Sequence, residues 1–240
     1  LQRAVHTTVA FGLVAGVLMT GVGVALSPQI LRWMDTPESV MRESVTYLQI
    51  YFAGSLGFVM YNVLVGILQA VGDSRHPLYY LIVSSVINLV LDLLFITGFH
   101  TGVGGAAVAT VISQIVSALL CFWQLLRTKE SYGLKIRKIR FDKGILVQII
   151  KIGLPSGVQN SIIAFANVIV QSNINAFGEM AMAGYGAYTK VEGFGFLPIN
   201  SFTMALTTFV GQNLGAKQEE RTRKGARFGI LAAVILDRRA

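Results

Sequence analysis

The chain has 240 residues, of which 53% are hydrophobic and only 13% are charged, and its mean hydropathy is +0.61. Soluble domains carry about 25% charged residues, so this composition excludes an ordinary soluble globular protein. The formal net charge of +8 would suggest a nucleic-acid ligand in a soluble protein. Here the basic residues lie between apolar runs, so we expect a membrane protein with no nucleic-acid partner.

Six apolar runs are long enough to cross a bilayer, which takes about 20 helical residues. They predict spans over 4–31, 44–72, 77–98, 104–126, 144–177 and 181–210, and a seventh span that begins near Phe228. The seventh run is too short to cross, and Leu1 stands directly before the first span. We therefore expect an internal piece of a longer, all-α, polytopic membrane helical bundle.

The positive charges predict the orientation of these spans. Alternate connections place 14 of the 20 Lys and Arg residues on one side, and only Arg32 and Arg42 on the other. Basic loops stay in the cytoplasm, so the long polar stretch 127–143 is predicted to be a cytoplasmic linker. It separates four spans in 1–126 from the spans in 144–240. The linker could also bind anionic lipid head groups, although setting the orientation is its simpler role.

The third span contains the sharpest candidate site. Asp92 is the one Asp, Glu, Lys or Arg between Pro77 and Leu126. An ionisable group at bilayer depth is costly and usually faces a water-filled cavity or a partner. Asn88 lies one helical turn earlier on the same face. The pair predicts an ion or proton site, the alternative being a structural carboxylate satisfied by neighbouring helices.

A stripe of amides follows the fifth span. Asn160, Asn167, Gln171 and Asn175 fall within about 80° of one another around an ideal helix. Such a stripe can line a wet cavity or hold helices together by hydrogen bonds. We expect the first three to line a substrate cavity, and we add Asn62 of the second span to its lining.

The sixth span carries two charges, Lys190 and Glu192, which we also assign to the substrate cavity. They are two residues apart, so they point to nearly opposite faces of a helix. We therefore expect each to find its partner on another helix or in water. Gly193, Gly195 and Pro198 follow and predict a bend, which is common where transport sites form.

Several chemistries lack their motifs in the sequence. No GxxxxGK[ST] loop and no HExxH motif occurs, and the single Cys121 and three well-separated histidines form no metal-binding cluster. No nucleophile–base pair supports an enzyme. We expect neither a metal site nor a cofactor.

Four segments together resemble the multidrug and toxic compound extrusion (MATE) family. They occur in family order, cover nearly the whole chain, and run as follows: Ala70-Val-Gly-Asp-Ser-Arg-His-Pro77; Ile87-Asn-Leu-Val-Leu-Asp92 with the small-residue run 102–114; Gly153-Leu-Pro-Ser-Gly157; and Gly211-Gln-Asn-Leu-Gly-Ala-Lys217. Each motif alone is modest, whereas the ordered set is specific.

The resemblance implies a protein of twelve helices in two lobes, so this chain would be a partial MATE-type fold. Residues 1–126 would be helices three to six, and 144–240 would be helices seven, eight and the start of nine. Asn88 and Asp92 match the Asn/Asp pair of the family's cation site. Ile163 stands where a sodium-linked subset carries glutamate, so the resemblance favours H⁺ over Na⁺ as coupling ion.

The expected function is export of small cationic or amphipathic compounds by a secondary-active antiporter that alternates its access between the two sides. We expect a multi-pass protein of the bacterial plasma membrane, in contact with lipid and monomeric when complete. Two alternatives remain open. One is a flippase of lipid-linked precursors from the same superfamily, and the other is a membrane-embedded protein that does not transport.

Overall fold

The structure is a computed structural model that describes residues 1–33, 38–175 and 177–237. These three ranges are largely helical and contain no strand. Five of their helices are long and apolar enough to cross a membrane, or six spans are present if one bent pair crosses as a unit. The predicted all-α membrane bundle is therefore confirmed. The helices are α1 (Gln2–Trp33), α2 (Glu38–Ala53), α3 (Ser55–Ala70), α4 (Arg75–Leu93), α5 (Gly102–Arg127), α6 (Lys143–Asn175), α7 (Glu179–Gly215) and α8 (Glu219–Asp237).

The second predicted span, 44–72, is not one straight helix. It is the pair α2–α3, bent by 43° at Gly54. A Cβ atom at Gly54 would collide with the side chain of Val111 on α5. The bend therefore lies where two helices approach so closely that only glycine fits. The apolar run alone did not predict it, because Gly54 is one small residue among many.

The turn before α4 is fixed by a glycine and by a local cap. Gly72 has φ +90° after α3, and the Asp73 N–H donates to the Leu68 carbonyl at 2.9 Å, a typical helix-ending arrangement. Asp73 then accepts from the His76 backbone N–H at 3.2 Å. At its other end α4 continues into a π-helical turn, Leu94–Gly98, before the loop to α5. The predicted spans 77–98 and 104–126 are separated at this loop.

The chain divides into two compact units, Leu1–Ile150 and Lys151–Ala240. In the first unit α1 packs against α2 and α3, and α5 packs against α2, α3 and α4. A core of buried side chains joins α1, α3 and α5; its members include Val5, Val9, Leu64, Leu68, Cys121 and Leu125. Helix α5 is thus the central element of the first unit, and α4 lies against it.

The segment 128–142 belongs to the first unit and packs against its helices. Leu134 is only 3% exposed and belongs to the core, and its N–H donates to the Leu125 carbonyl at 2.8 Å. A short 3₁₀ turn, Ile136–Lys138, follows. The segment also contacts the start of α1, where the Lys135 N–H donates to His6 Nε2 at 3.0 Å.

In the second unit α7 packs against α8. Helix α8 begins at Glu219, nine residues before the predicted start of the seventh span near Phe228. Its first two turns are charged rather than apolar, so hydropathy does not reveal them. Helix α7 remains helical through Gly193, Gly195 and Pro198. The apolar side chains along α6 and α7 are mostly exposed, as Leu154 and Phe194 are.

Candidate functional site

The candidate site is built on the face of α4 that packs against α5. Asn88 and Asp92 are half-buried and lie one turn apart. The Asp92 Oδ1 and Asn88 Nδ2 atoms are shielded from solvent, and neither has a hydrogen-bond partner among the described residues. Because α5 is the main neighbour of α4, the shielded face of α4 is the one toward α5.

Two further polar atoms of the first unit share this property. Gln114 Oε1 on α5 and Thr20 Oγ1 on α1 are shielded and accept or donate no hydrogen bond within the described ranges. The sequence interpretation did not assign either residue to a site. Gln114 could have been found, since an amide in the apolar middle of a span is unusual. Thr20 gives no such signal, because a single threonine is common in membrane helices.

Shielded polar atoms without partners are costly to keep. Each lost hydrogen bond costs about 1–3 kcal/mol, so a ligand bound by the Asp92 carboxylate would offset this cost at its Oδ1 atom. Oxygen atoms of carboxylate, amide and hydroxyl groups are the ligands that hard cations prefer. Asp92 can in addition take up a proton. The chemistry available at this face is therefore binding of a small cation or a proton.

Asn62 lies on α3 but outside this set. Its side chain is exposed, and its Nδ2 donates to the Phe58 carbonyl of the same helix at 2.8 Å. Its assignment to a substrate cavity stays a prediction.

The amides of the fifth predicted span are in α6. Asn160 and Asn167 are exposed, and Gln171 is half-buried and takes part in an interaction. The side chain of Asn175 lies outside the described residues. The predicted stripe is thus accessible on α6, and its role in substrate binding stays a prediction.

The two charges on α7 differ in their contacts. Lys190 is exposed, whereas Glu192 is half-buried and accepts a hydrogen bond from the Tyr188 hydroxyl at 2.8 Å. Tyr188 stands one turn earlier on the same helix. The expectation that Glu192 needs a partner on another helix or in water was therefore wrong, because an aromatic hydroxyl at i−4 reaches it.

No group of three or more His, Cys, Asp or Glu side chains that could hold a metal occurs in the described part of the chain.

Comparison with known proteins identifies a family. The sequence model described as MatE matches residues 1–94 and 155–237. The chain is 32% identical over 243 residues to the probable multidrug resistance protein YoeA of Bacillus subtilis (strain 168), covering 98% of this chain and 52% of that protein. It is 33% identical over 212 residues to the probable multidrug resistance protein YpnP of the same strain, covering 85% of this chain and 47% of YpnP.

Solved structures agree with this match. An outward-facing multidrug resistance MATE family transporter of the MOP superfamily superposes with a TM-score of 0.87 at 27% identity, over 97% of this chain and 52% of that one. A MATE crystal structure in complex with MaL6 gives a TM-score of 0.90 at 25% identity, over 98% and 53%. The chain spans about half the length of the relatives it matches.

Proposed function

Because this chain belongs to the MatE family of multidrug resistance transporters, we propose that it forms part of a secondary-active antiporter. The antiporter exports small cationic or amphipathic compounds in exchange for H⁺ or Na⁺. It is a multi-pass membrane protein, and we assign it to the plasma membrane, where it works as a monomer surrounded by lipid. The observation that carries this proposal is the shielded Asp92 carboxylate, which has no hydrogen-bond partner at Oδ1 among the described residues.

Asp92 is the cation-binding group of the proposal, and Asn88 assists it. A carboxylate within a span is stabilised when it binds a proton or a cation, because a bare charge at bilayer depth costs several kcal/mol, by estimates that start at about 2.5. Loading and release of the cation therefore change which packing of α4 against α5 is favoured. The equilibrium between two packing arrangements shifts toward the one that binds the cation more tightly, by the difference between their two affinities. This difference couples the ion to transport.

We favour H⁺ as the coupling ion. Asp92 is the one acid between Arg75 and Arg127, and Ile163 offers no carboxylate on α6. A single carboxylate can carry one proton without further ligands, whereas Na⁺ needs several oxygen atoms.

The substrate path uses the polar residues of α6 and α7. The side-chain amides of Asn160 and Asn167 are exposed on α6, and the ammonium group of Lys190 is exposed on α7. Amides bind polar parts of varied compounds without fixing one charge, which suits a broad substrate range. Gln171 and Glu192 complete the proposed lining on these two helices.

The test is Asp92→Asn in the complete reading frame that carries this sequence, with Glu130→Gln on the exposed linker as the control for loss of one acid. We expect Asp92→Asn to abolish efflux driven by a proton or sodium gradient, because it keeps size and hydrogen-bonding groups but cannot titrate. Efflux of an organic cation from proteoliposomes is normalised to monodisperse protein. Wild-type coupling in Asp92→Asn would exclude Asp92 as the site. Loss of folded protein together with activity would point to a structural carboxylate.

A further inference from the structure

A basic groove lies where the start of α1 meets the end of the polar segment 128–142. Its volume is about 710 Å³. Six charged residues line it, five of them basic: Arg3, Arg137, Lys138, Arg140, Lys143 and the acidic Asp142. The groove lies wholly within the first unit, at the end predicted to be cytoplasmic, and far along the chain from Asp92.

The one acid in this lining is already engaged. Asp142 Oδ1 accepts from the backbone N–H groups of Gly144 and Ile145 at 3.1 and 3.2 Å, where it caps the start of α6. Its Oδ2 lies 3.8 Å from Arg3 Nη1. In the described ranges, no ion pair is formed by the other four basic side chains of the groove: Arg137, Lys138, Arg140 and Lys143.

Buried polar side chains of α1 hold the basic segment in place. His6 is 4% exposed, and its Nε2 accepts the Lys135 N–H at 3.0 Å while Nδ1 donates to the Gln2 carbonyl at 2.6 Å. This pattern requires the neutral Nδ1–H tautomer. Thr7 is fully buried; its Oγ1 donates to the Arg140 carbonyl at 3.4 Å and accepts the Asp142 N–H at 3.2 Å.

These contacts go beyond what membrane orientation requires. Orientation depends on the number of positive charges next to the spans, and a loose loop would supply it equally well. Here two buried side chains hold the backbone on both sides of the basic run, and Leu134 anchors the segment in the core. Holding several cations around one groove is unfavourable unless an anion lowers their repulsion.

We propose that this groove binds a phosphate-bearing anion. Arginine guanidinium groups form bidentate hydrogen bonds with phosphate oxygens, and lysine adds a point charge. The same chemistry is offered by the headgroup of an anionic phospholipid and by a soluble phosphate compound. Because the backbone is already held in place, binding loses less conformational entropy than it would at a mobile loop. This inference is independent of the transport cycle and of Asp92.

The test is isothermal titration of the protein from the complete reading frame, in neutral detergent at low salt, with two probes. One probe is sodium phosphate, and the other is short-chain phosphatidylglycerol, with short-chain phosphatidylcholine as its uncharged reference. The binding variant is Arg137→Gln/Arg140→Gln/Lys143→Gln, at three exposed side chains of the groove. The control variant is Lys129→Gln/Arg223→Gln/Arg227→Gln, which removes the same charge from exposed basic side chains elsewhere.

We expect saturable binding that weakens about tenfold or more in the binding variant, equivalent to 1.4 kcal/mol or more, and by less than about twofold in the control. Binding of phosphatidylglycerol alone would identify a lipid headgroup, and binding of both probes would identify the phosphate group itself. An equal loss in both variants, or no saturable binding of either probe, would overturn the proposal. Arg137→Gln alone, at a side chain without an ion pair in the described ranges, keeps the test valid if the triple variant folds poorly.

Discussion

The first unit and the helices beyond Lys151 use the same kinds of residue in different ways. In the first unit Leu64 is 1% exposed in the core, whereas Leu154 on α6 is 64% exposed. Both regions also carry a GxxxG pair. A Cβ atom at Gly16 would lie 2.7 Å from Leu56 Cδ1 and 3.1 Å from its Cα, but one at Gly157 would meet nothing within 4 Å.

This difference teaches what small-residue spacing can predict. GxxxG permits two helices to approach closely, but a second helix must be there for the approach to occur. For Gly12 and Gly16 on α1 the partner is α3. For Gly153 and Gly157 the described part of this chain supplies none.

The largest effect expected from this contrast is at the two leucines. Leu64→Ala should lower the free energy of unfolding by about 2 kcal/mol or more, because it leaves a cavity among α1, α3 and α5. Leu154→Ala should change it by less than about 0.5 kcal/mol, as substitutions at exposed sites usually do. Sodium dodecyl sulfate titration of the purified 240-residue chain in mixed micelles measures both. A similar loss at the two positions would mean that α6 has a partner as close as that of α3.

A smaller effect is expected at the two GxxxG pairs. Gly16→Ala should destabilise the protein by about 1–3 kcal/mol, because the new methyl group meets the Leu56 backbone, which cannot rotate away. Gly157→Ala should be neutral or slightly stabilising, since alanine favours helix over glycine by about 1 kcal/mol. The same titration decides between these results. Stability unchanged by Gly16→Ala would show that α1 and α3 can separate freely at this point.

Much of the fold could be predicted from the sequence, because length and hydropathy determine which segments can cross a membrane. The bend at Gly54 could not, since it depends on Val111 of another helix. The start of α8 at Glu219 was missed because its first turns lack apolar residues, although they form helix.

The candidate site was also predictable only in part, because part of it depends on contacts between helices. Asp92 and Asn88 stood out, because a carboxylate within an apolar run is rare. Gln114 and Thr20 share the lack of a described hydrogen-bond partner. The position of Gln114 in the apolar middle of a span could have drawn attention to it, whereas the shielding of Thr20 depends on how the helices pack. The Tyr188–Glu192 bond lies within one helix and could have been anticipated from its spacing of four.

The smallest expected change in stability is at Thr7. It compares a hydroxyl that contacts another segment with a hydroxyl that contacts only its own helix. Thr7→Val keeps the shape but leaves the Asp142 N–H and the Arg140 carbonyl without the hydroxyl that each contacts. We expect a loss of about 1 kcal/mol. Thr203→Val on α7 is the matched control, since its hydroxyl donates only to the Ile199 carbonyl of its own helix at 2.9 Å. That carbonyl keeps its helical bond, so the control should change stability by less than about 0.5 kcal/mol.

Limited proteolysis gives a second and more local measurement of the Thr7 contact. Trypsin cleaves after Lys and Arg, which are frequent between Arg127 and Lys143, and it needs an extended, mobile backbone. Releasing one of the contacts that hold this segment on α1 should speed cleavage there several-fold in Thr7→Val and leave it unchanged in Thr203→Val. If both variants are cut at the wild-type rate, Leu134, His6 and the other contacts hold the segment without the Thr7 hydroxyl, and this hydroxyl contributes only its volume.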